Sequence, residues 1–226
     1  MMKRINLIFT IAVFMIAVFS IPTASANGNL DEILNNMQKS AASIKTIYAR
    51  MEQSKRDANL GGKPEQYSGE IFFKHVGKNN DKVRINYTKP KGQTVWVVGN
   101  DVTLYQAEIS QAIVTTRGAA ASKGDEFSFV ATPYTSVPEL KSKYNITHAG
   151  DEQGMAKLEL TPKGRSSVKS LTLWVDQSSW LPTKYHIVEG NGNITTFTLS
   201  GLKTNGVIPN GNFEVKLPKD TKVIRK

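Results

Sequence analysis

The apolar residues of this chain change their spacing near residue 45. Before that point they recur at intervals of three and four residues, at Leu30, Ile33, Leu34, Met37, Ala41 and Ile44. This spacing is typical of an amphipathic helix. Asn29, followed three residues later by Glu32, resembles a capping box. The pattern therefore predicts one helix of about four turns that starts after Asn29 and buries an apolar stripe.

From Thr46 onward the period changes to two, and short runs rich in β-branched and aromatic residues are separated by Gly, Asn, Asp and Pro. These runs predict strands near residues 47–54, 66–75, 82–88, 93–99, 102–107, 111–116, 145–149, 155–161, 168–175, 182–189, 194–204 and 213–217. The short connections, such as the turns at residues 99–101 and 190–193, favour an antiparallel meander over helix-linked parallel strands.

A long insert interrupts this rhythm at residues 117–144. It begins with small residues and continues through apolar ones that include Phe127 and Phe129. Long loops in compact domains are usually functional or disordered, and because this one keeps its apolar residues we expect a helical lid. The predicted fold is mostly β with α, a curled antiparallel sheet whose apolar concave face is covered by the N-terminal helix and the lid. Either the sheet closes tightly on itself as a barrel, or an apolar hollow remains.

Alternation gives the predicted sheet one apolar face, because successive side chains of a strand point to opposite sides. The residues that the alternation places on this face include Phe73, Val83, Ile85, Tyr87, Trp96, Val98, Leu171 and Leu173. Polar residues such as Lys74, Arg84 and Asn86 lie between them in sequence. The concave face is thus expected to be apolar and the convex face polar.

The first 26 residues have the organisation of a secretory signal peptide. Lys3 and Arg4 precede an apolar run, and residues 24–26 have the small-x-small form that a signal peptidase accepts. The sequence therefore predicts a cleaved signal peptide at residues 1–26 and a single exported domain at residues 27–226. An uncleaved anchor is the alternative, because the apolar run can be extended to about 17 residues, the shortest length that spans a bilayer.

Composition removes several classes of protein. The chain has no Cys, which excludes disulfides, thiolate chemistry and N-terminal acylation of a cysteine. It carries 29 Lys plus Arg against 19 Asp plus Glu, and without the two basic residues of the predicted signal peptide the charge is (29 − 2) − 19 = +8. Export and the scattered basic residues argue against nucleic acid. A solvated cationic surface and a preference for acidic partners both remain open.

Catalytic signals are missing from the sequence. The histidines, His75, His148 and His186, are far apart, and no zinc-protease, nucleophile-elbow or phosphate-loop motif is present. Carboxylate pairs such as Asp151-Glu152 lie in turn-like segments, where solvated charge is the ordinary interpretation. We therefore expect neither an enzyme nor a cofactor or metal site.

Several runs resemble the LolA-like outer-membrane lipoprotein carriers. In the N-terminal half these runs are residues 84–90, reading RINYTKP, residues 95–105, reading VWVVGNDVTLY, and Gln111-Ala112. In the C-terminal half they are residues 171–176, reading LTLWVD, then Leu181-Pro182, residues 193–197 and residues 213–218. Their order agrees with the opening helix, the signal peptide and the mid-chain insert.

The resemblance implies a periplasmic, monomeric chaperone with an incomplete β-barrel closed by helices. Such a protein would take acylated lipoproteins from a transporter in the inner membrane and deliver them to a receptor lipoprotein in the outer membrane. The acyl chains would lie against the apolar face, at Phe73, Val83, Ile85, Tyr87, Trp96, Val98, Leu171 and Leu173. Leu34, Met37, Phe127 and Phe129 would form the cover. The alternative is a lipid-binding or envelope-stress sensor module of the same fold.

One departure from the family concerns the lid. The LolA-like carriers usually have an Arg-Pro pair after the strand that corresponds to residues 69–74, and that arginine holds the lid shut by hydrogen bonds to the lid's backbone. Here residues 74–81 read KHVGKNND. His75 or Lys78 could donate to carbonyl oxygens in its place, or this segment could be a solvated loop.

Overall fold

A single sheet dominates the computed structural model, which describes residues 26–77, 80–122 and 136–226. In chain order its strands are β1 Thr46–Arg56, β2 Glu65–Lys74, β3 Lys82–Lys89, β4 Gln93–Val98, β5 Asp101–Gln106, β6 Gln111–Thr116, β7 Tyr144–Glu152, β8 Met155–Pro162, β9 Val168–Asp176, β10 Leu181–Glu189, β11 Ile194–Thr204 and β12 Lys222–Arg225. Their order across the sheet is β12-β6-β5-β4-β3-β2-β1-β11-β10-β9-β8-β7. The sheet is curled and open, with β12 and β7 at its two ends.

Neighbouring strands pair antiparallel, with one exception at the end of the chain. The pairing of β1 with β11 joins an N-terminal meander to a C-terminal one. At one end β12 pairs parallel with β6. The predicted meander is confirmed, and eleven predicted strands lie within three residues of the observed bounds.

The predicted strand at residues 213–217 is wrong. This region contains a 3-10 helix at Asn210–Phe213, and the last strand follows later, at Lys222–Arg225. Phe213 is buried, whereas Val215 is 43% exposed, so burial does not alternate here as it would in a strand with one inward face. The 3-10 helix packs beside β3, where Arg84 contacts Asn212.

The described helices are few. Helix α1 spans Ala26–Ala42, α2 spans Arg117–Ser122 and α3 spans Val137–Lys143. The predicted start of the first helix is wrong, because α1 already includes Asn29, which therefore does not cap it. Helix α3 begins after Ser136, whose side chain accepts a hydrogen bond from the backbone N–H of Glu139.

One apolar core joins the sheet to two of these helices. The core includes the α1 residues Ile33, Leu34 and Met37 together with the α3 residues Val137 and Leu140. Helix α1 packs against β7, β10 and α3. Hereafter α1 and α3 together are called the cover, and the side of the sheet that faces the core is the inner face.

Candidate functional site

The inner face is lined by apolar rows that run across the strands. Directly paired residues of an antiparallel sheet present their side chains on the same face. One row crosses the N-terminal half at Ala49, Ile71, Ile85, Val95, Leu104 and Ile113. A second row crosses the C-terminal half at Phe197, Tyr185, Leu173 and Leu158. The inner face is therefore a continuous apolar surface on both halves of the sheet.

The cover closes over this surface with apolar side chains. Ile33 and Leu34 of α1 are each 1% exposed. Such burial stabilises each side chain by about 1.5–3 kcal/mol relative to exposure. The amphipathic stripe that the sequence predicted is thus the surface that α1 turns to the sheet.

Side-chain contacts of α1 help to hold the cover in place. Ser40 Oγ donates to the carbonyl oxygen of Ser179 at 2.6 Å, which ties α1 to the turn between β9 and β10. Within the cover, Gln38 Oε1 accepts from the backbone N–H of Val137 at 3.0 Å. Lys141 Nζ lies 3.1 Å from Asp31 Oδ1, and both side chains are more than half exposed. Because an exposed ion pair contributes little, the first two contacts are the stronger ones.

A small polar group is buried on the inner face. Gln53 is 2% exposed, and its Oε1 accepts a hydrogen bond from the Tyr87 hydroxyl at 3.1 Å. Tyr67 lies edge-on to the Tyr87 ring, with centroids 6.0 Å apart. A buried amide needs such partners, because leaving it unbonded costs about 1–3 kcal/mol. The inner face thus carries a satisfied polar spot that hydropathy alone does not predict.

Most of the predicted acyl-contacting residues lie together on the inner face. Six of them are no more than 7% exposed: Phe73, Val83, Ile85, Tyr87, Leu171 and Leu173. Of the predicted cover residues, Leu34 and Met37 lie on α1 within the core. Phe127 and Phe129 lie outside the described residues.

Trp96 and Val98 do not lie on the inner face, so their predicted placement is wrong. They pair with Arg84 and Lys82 on β3. The Arg84 guanidinium lies 5.6 Å from the Trp96 ring centroid, in the range of a cation–π contact. Because Val95 and Val97 take the inner positions, Trp96 and Val98 project to the outer face.

The cause of that error is the unbroken apolar run Val95-Trp96-Val97-Val98. Because all four residues are apolar, alternation alone does not show which two of them point to the inner face. The sequence did contain one usable signal, the short β3–β4 connection, because pairing across it sets Ile85 opposite Val95.

The C-terminal segment covers the outer face near Trp96. Arg84 Nη1 donates to the carbonyl oxygen of Asn212 at 3.2 Å, and Phe213 is 3% exposed. Trp96 itself is 5% exposed. Burial of this tryptophan thus comes from packing on the outer face.

An arginine contacts the loop between β2 and β3. Arg117 Nε donates to the carbonyl oxygen of Gly99 at 2.6 Å, and its Nη2 donates to that of Asp81 at 2.9 Å. Burial holds the pKa of Arg117 below its ordinary value, and the charge of Asp81 partly opposes this shift. His75 is 52% exposed and lies 2.7 Å from Asp81, which agrees with a solvated loop; Lys78 lies outside the described residues. Sequence reasoning missed Arg117, because no local pattern marks an arginine that contacts two distant turns.

Titratable side chains do not converge on one place in the part of the chain that the structure describes. Among those residues no group of three or more His, Cys, Asp or Glu could hold a metal ion. Each histidine has its own neighbour, with His148 2.8 Å from Asp151 and His186 2.9 Å from Thr196. In the same residues no helix has both the length and the hydropathy needed to cross a bilayer.

Comparisons with known proteins point in one direction. The family model described as "Outer membrane lipoprotein carrier protein LolA" matches residues 42–216. An outer-membrane lipoprotein carrier protein of Dechloromonas aromatica is 25% identical over 205 residues, which covers 90% of this chain and 91% of the relative. The protein of the same name from Neisseria meningitidis serogroup B is 24% identical over 224 residues, 99% of each chain.

Solved structures share the fold at low sequence identity. An uncharacterized conserved protein from Thermus thermophilus superposes with a TM-score of 0.54 at 12% identity, covering 88% of this chain and 99% of that one. MucB superposes with a TM-score of 0.52 at 14% identity, covering 84% of this chain and 63% of that one. At these identities the likeness shows the fold alone.

Proposed function

The chain belongs to the LolA family of outer membrane lipoprotein carrier proteins, and from this premise we propose that its inner face binds the acyl chains of lipoproteins. In this proposal the protein carries those lipoproteins from the inner to the outer membrane. The acyl-binding residues are Phe73, Val83, Ile85, Tyr87, Leu171 and Leu173. Leu34 and Met37 of α1 cover them, and Phe127 and Phe129 are predicted to belong to the same cover.

The observation that carries the proposal is the apolar inner face under a cover that packs on it through buried apolar side chains. An acyl chain gains about 0.8 kcal/mol for each CH₂ that it buries. Lipid anchors therefore cannot cross an aqueous compartment unless a protein shields them. A cover that packs mainly through apolar side chains can give way to acyl chains, because one apolar surface then replaces another.

The remaining parts of the proposal concern compartment and partners. Residues 1–26 direct export to the periplasm, and residues 27–226 form the carrier domain. An inner-membrane lipoprotein-releasing transporter supplies the cargo, and an outer-membrane receptor lipoprotein accepts it. The carrier works as a monomer, without a cofactor and without catalysis.

A matched pair of variants tests which face binds cargo. Ile113 and Val114 are neighbours on β6, both half-buried, and they project to the inner and outer face respectively. The assay measures the affinity of the mature chain for a peptide with a fluorescent acylated N-terminus. We expect Ile113→Gln to weaken binding about tenfold, from the burial of one aliphatic side chain. Val114→Gln should leave the affinity within about twofold of wild type.

A second experiment identifies the cargo that the protein carries. Mature protein purified from periplasm without detergent, studied by native mass spectrometry, should carry adducts of lipoprotein mass. Free phospholipid in their place would favour the lipid-binding or sensor module. Equal effects of the two β6 variants would remove the inner face as the binding surface.

A further inference from the structure

A cationic pocket lies at the C-terminal end of α3, one of the two helices of the cover. It encloses about 520 Å³ and is lined by Lys143, Tyr144, Lys163, Arg165 and Ser166, among others. It forms where α3 runs directly into β7 and meets the turn that follows β8. The pairing of Tyr144 with Pro162 brings these two segments together. Hereafter this pocket is called the notch.

The charge of the notch is positive. Three of the residues that line it are cationic, Lys143, Lys163 and Arg165. The one carboxylate that ion-pairs with them in the described part of the chain is Glu139, which bonds Lys143. Lys163 and Arg165 are therefore left without a neutralising partner among those residues.

Donor groups in the notch remain available for a ligand. Arg165 is exposed and makes no hydrogen bond or ion pair with any residue that the structure describes. Lys163 Nζ uses one donor, to the carbonyl oxygen of Lys141 at 2.7 Å, and an ammonium group has three. Ser166 Oγ accepts from the backbone N–H of Val168, so its own hydrogen can still be donated. The residues that line the notch thus carry a guanidinium, an ammonium and a hydroxyl with donors still available.

The carbonyl oxygens at the end of α3 would repel an anion, but two of them are already bonded. The carbonyl oxygen of Lys141 accepts from Lys163 Nζ, and that of Lys143 accepts from the backbone N–H of Lys163 at 2.9 Å. Lys163 therefore neutralises the helix end and fastens it to the β8–β9 turn. These two carbonyl oxygens are therefore not free to repel an anion in the notch.

We propose that the notch binds a phosphate group, as an anionic phospholipid headgroup presents it. Guanidinium and ammonium donors match phosphate oxygens in charge and geometry. The volume lies in the range of small-molecule sites, about 300–1,000 Å³. Because Lys143 belongs to α3, a headgroup held there places one end of the cover against the bilayer surface. The proposal rests on the notch and is independent of acyl binding on the inner face.

The test is a vesicle flotation assay with a charge-matched control. The mature chain is mixed with phosphatidylcholine vesicles that contain or lack phosphatidylglycerol. We expect binding only to the vesicles with phosphatidylglycerol. Arg165→Gln should weaken it about tenfold, because hydrogen bonds from a charged donor to phosphate are stronger than those between neutral groups. Lys219→Gln removes the same charge at an exposed position outside the notch and should change binding less than twofold.

Competition identifies the source of the phosphate. Displacement from vesicles by glycerol phosphate or inorganic phosphate would support the notch as a general phosphate site. Failure of both to compete, with the Arg165 effect retained, would support the headgroup alone. Equal losses in Arg165→Gln and Lys219→Gln, or no binding to either vesicle, would overturn the proposal. Arg165→Gln should keep the wild-type affinity for the acylated peptide, so loss of vesicle binding in this variant can be distinguished from loss of acyl binding on the inner face.

Discussion

Gln38 offers a direct way to loosen the cover without touching the sheet. Its side-chain oxygen accepts the hydrogen bond of the Val137 backbone N–H, at the start of α3. In Gln38→Leu the size of the side chain is nearly kept and the acceptor is lost. Val137 is only 8% exposed, so its N–H is left largely without a partner.

The expected magnitude follows from that unbonded amide. An unsatisfied buried donor costs about 1–3 kcal/mol, and Gln38 is only half-buried, which favours the lower part of this range. About 1.4 kcal/mol corresponds to a tenfold change in an equilibrium constant. We therefore expect the open fraction of α3 to rise about tenfold.

Hydrogen exchange measured by mass spectrometry checks this value, because local opening controls the exchange of protected amides. Amides of α3, at Val137–Lys143, should exchange about tenfold faster in Gln38→Leu, and those of β2 should not change. Gln38→Glu is the control, because it keeps the acceptor and places a negative charge near the start of α3. Wild-type exchange of α3 in Gln38→Leu would refute the reasoning.

Three further predictions concern stability. Trp96→Ala should lower the free energy of unfolding by about 3 kcal/mol, measured by urea titration, with the affinity for the acylated peptide within twofold, because the ring lies on the outer face. Gly69→Ala should lower the free energy of unfolding by about 2 kcal/mol or more, because the added Cβ would lie 2.4 Å from the carbonyl oxygen of Asn86. Gly206→Ala is the control, because its added Cβ meets open space and the free energy of unfolding should stay near that of wild type. Hydrogen bonds from Ser178 hold the pKa of Asp176 below its ordinary value, so wild type should be more stable than Asp176→Asn at neutral pH. This advantage should shrink as the pH falls below the ordinary aspartate pKa and through the lowered one.

Local chemistry made most of the sheet predictable. Alternating side chains and turn residues are short-range signals, and they placed β2, β3, β9 and β11 almost at their observed bounds. The same signals fail where a strand is apolar on both faces. β4 is such a strand, because its outer face is buried by the C-terminal segment, which no local pattern predicts.

Long-range contacts account for the remaining differences. The parallel pairing of β12 with β6 joins residues about a hundred positions apart in sequence. The contacts of Arg117 with two turns and the notch beside α3 are likewise set by tertiary packing. Sequence periodicity determines which face of an element is apolar, but it does not identify the segment that covers that face.

The strength of the cover should set how long an acyl chain must be before its burial offsets the cost of opening α1. Opening α1 exposes apolar surface that an acyl chain covers again, so the net cost is chiefly the bonds made by Ser40 and Gln38. At about 1 kcal/mol for each bond and ~0.8 kcal/mol for each buried CH₂, a few methylene groups offset that cost. Beyond them, the affinity for acylated peptides of increasing chain length should rise about fourfold for each CH₂, until the inner face is filled. Titration of such a series measures this slope, and an affinity independent of chain length would show that the acyl chain does not displace the cover.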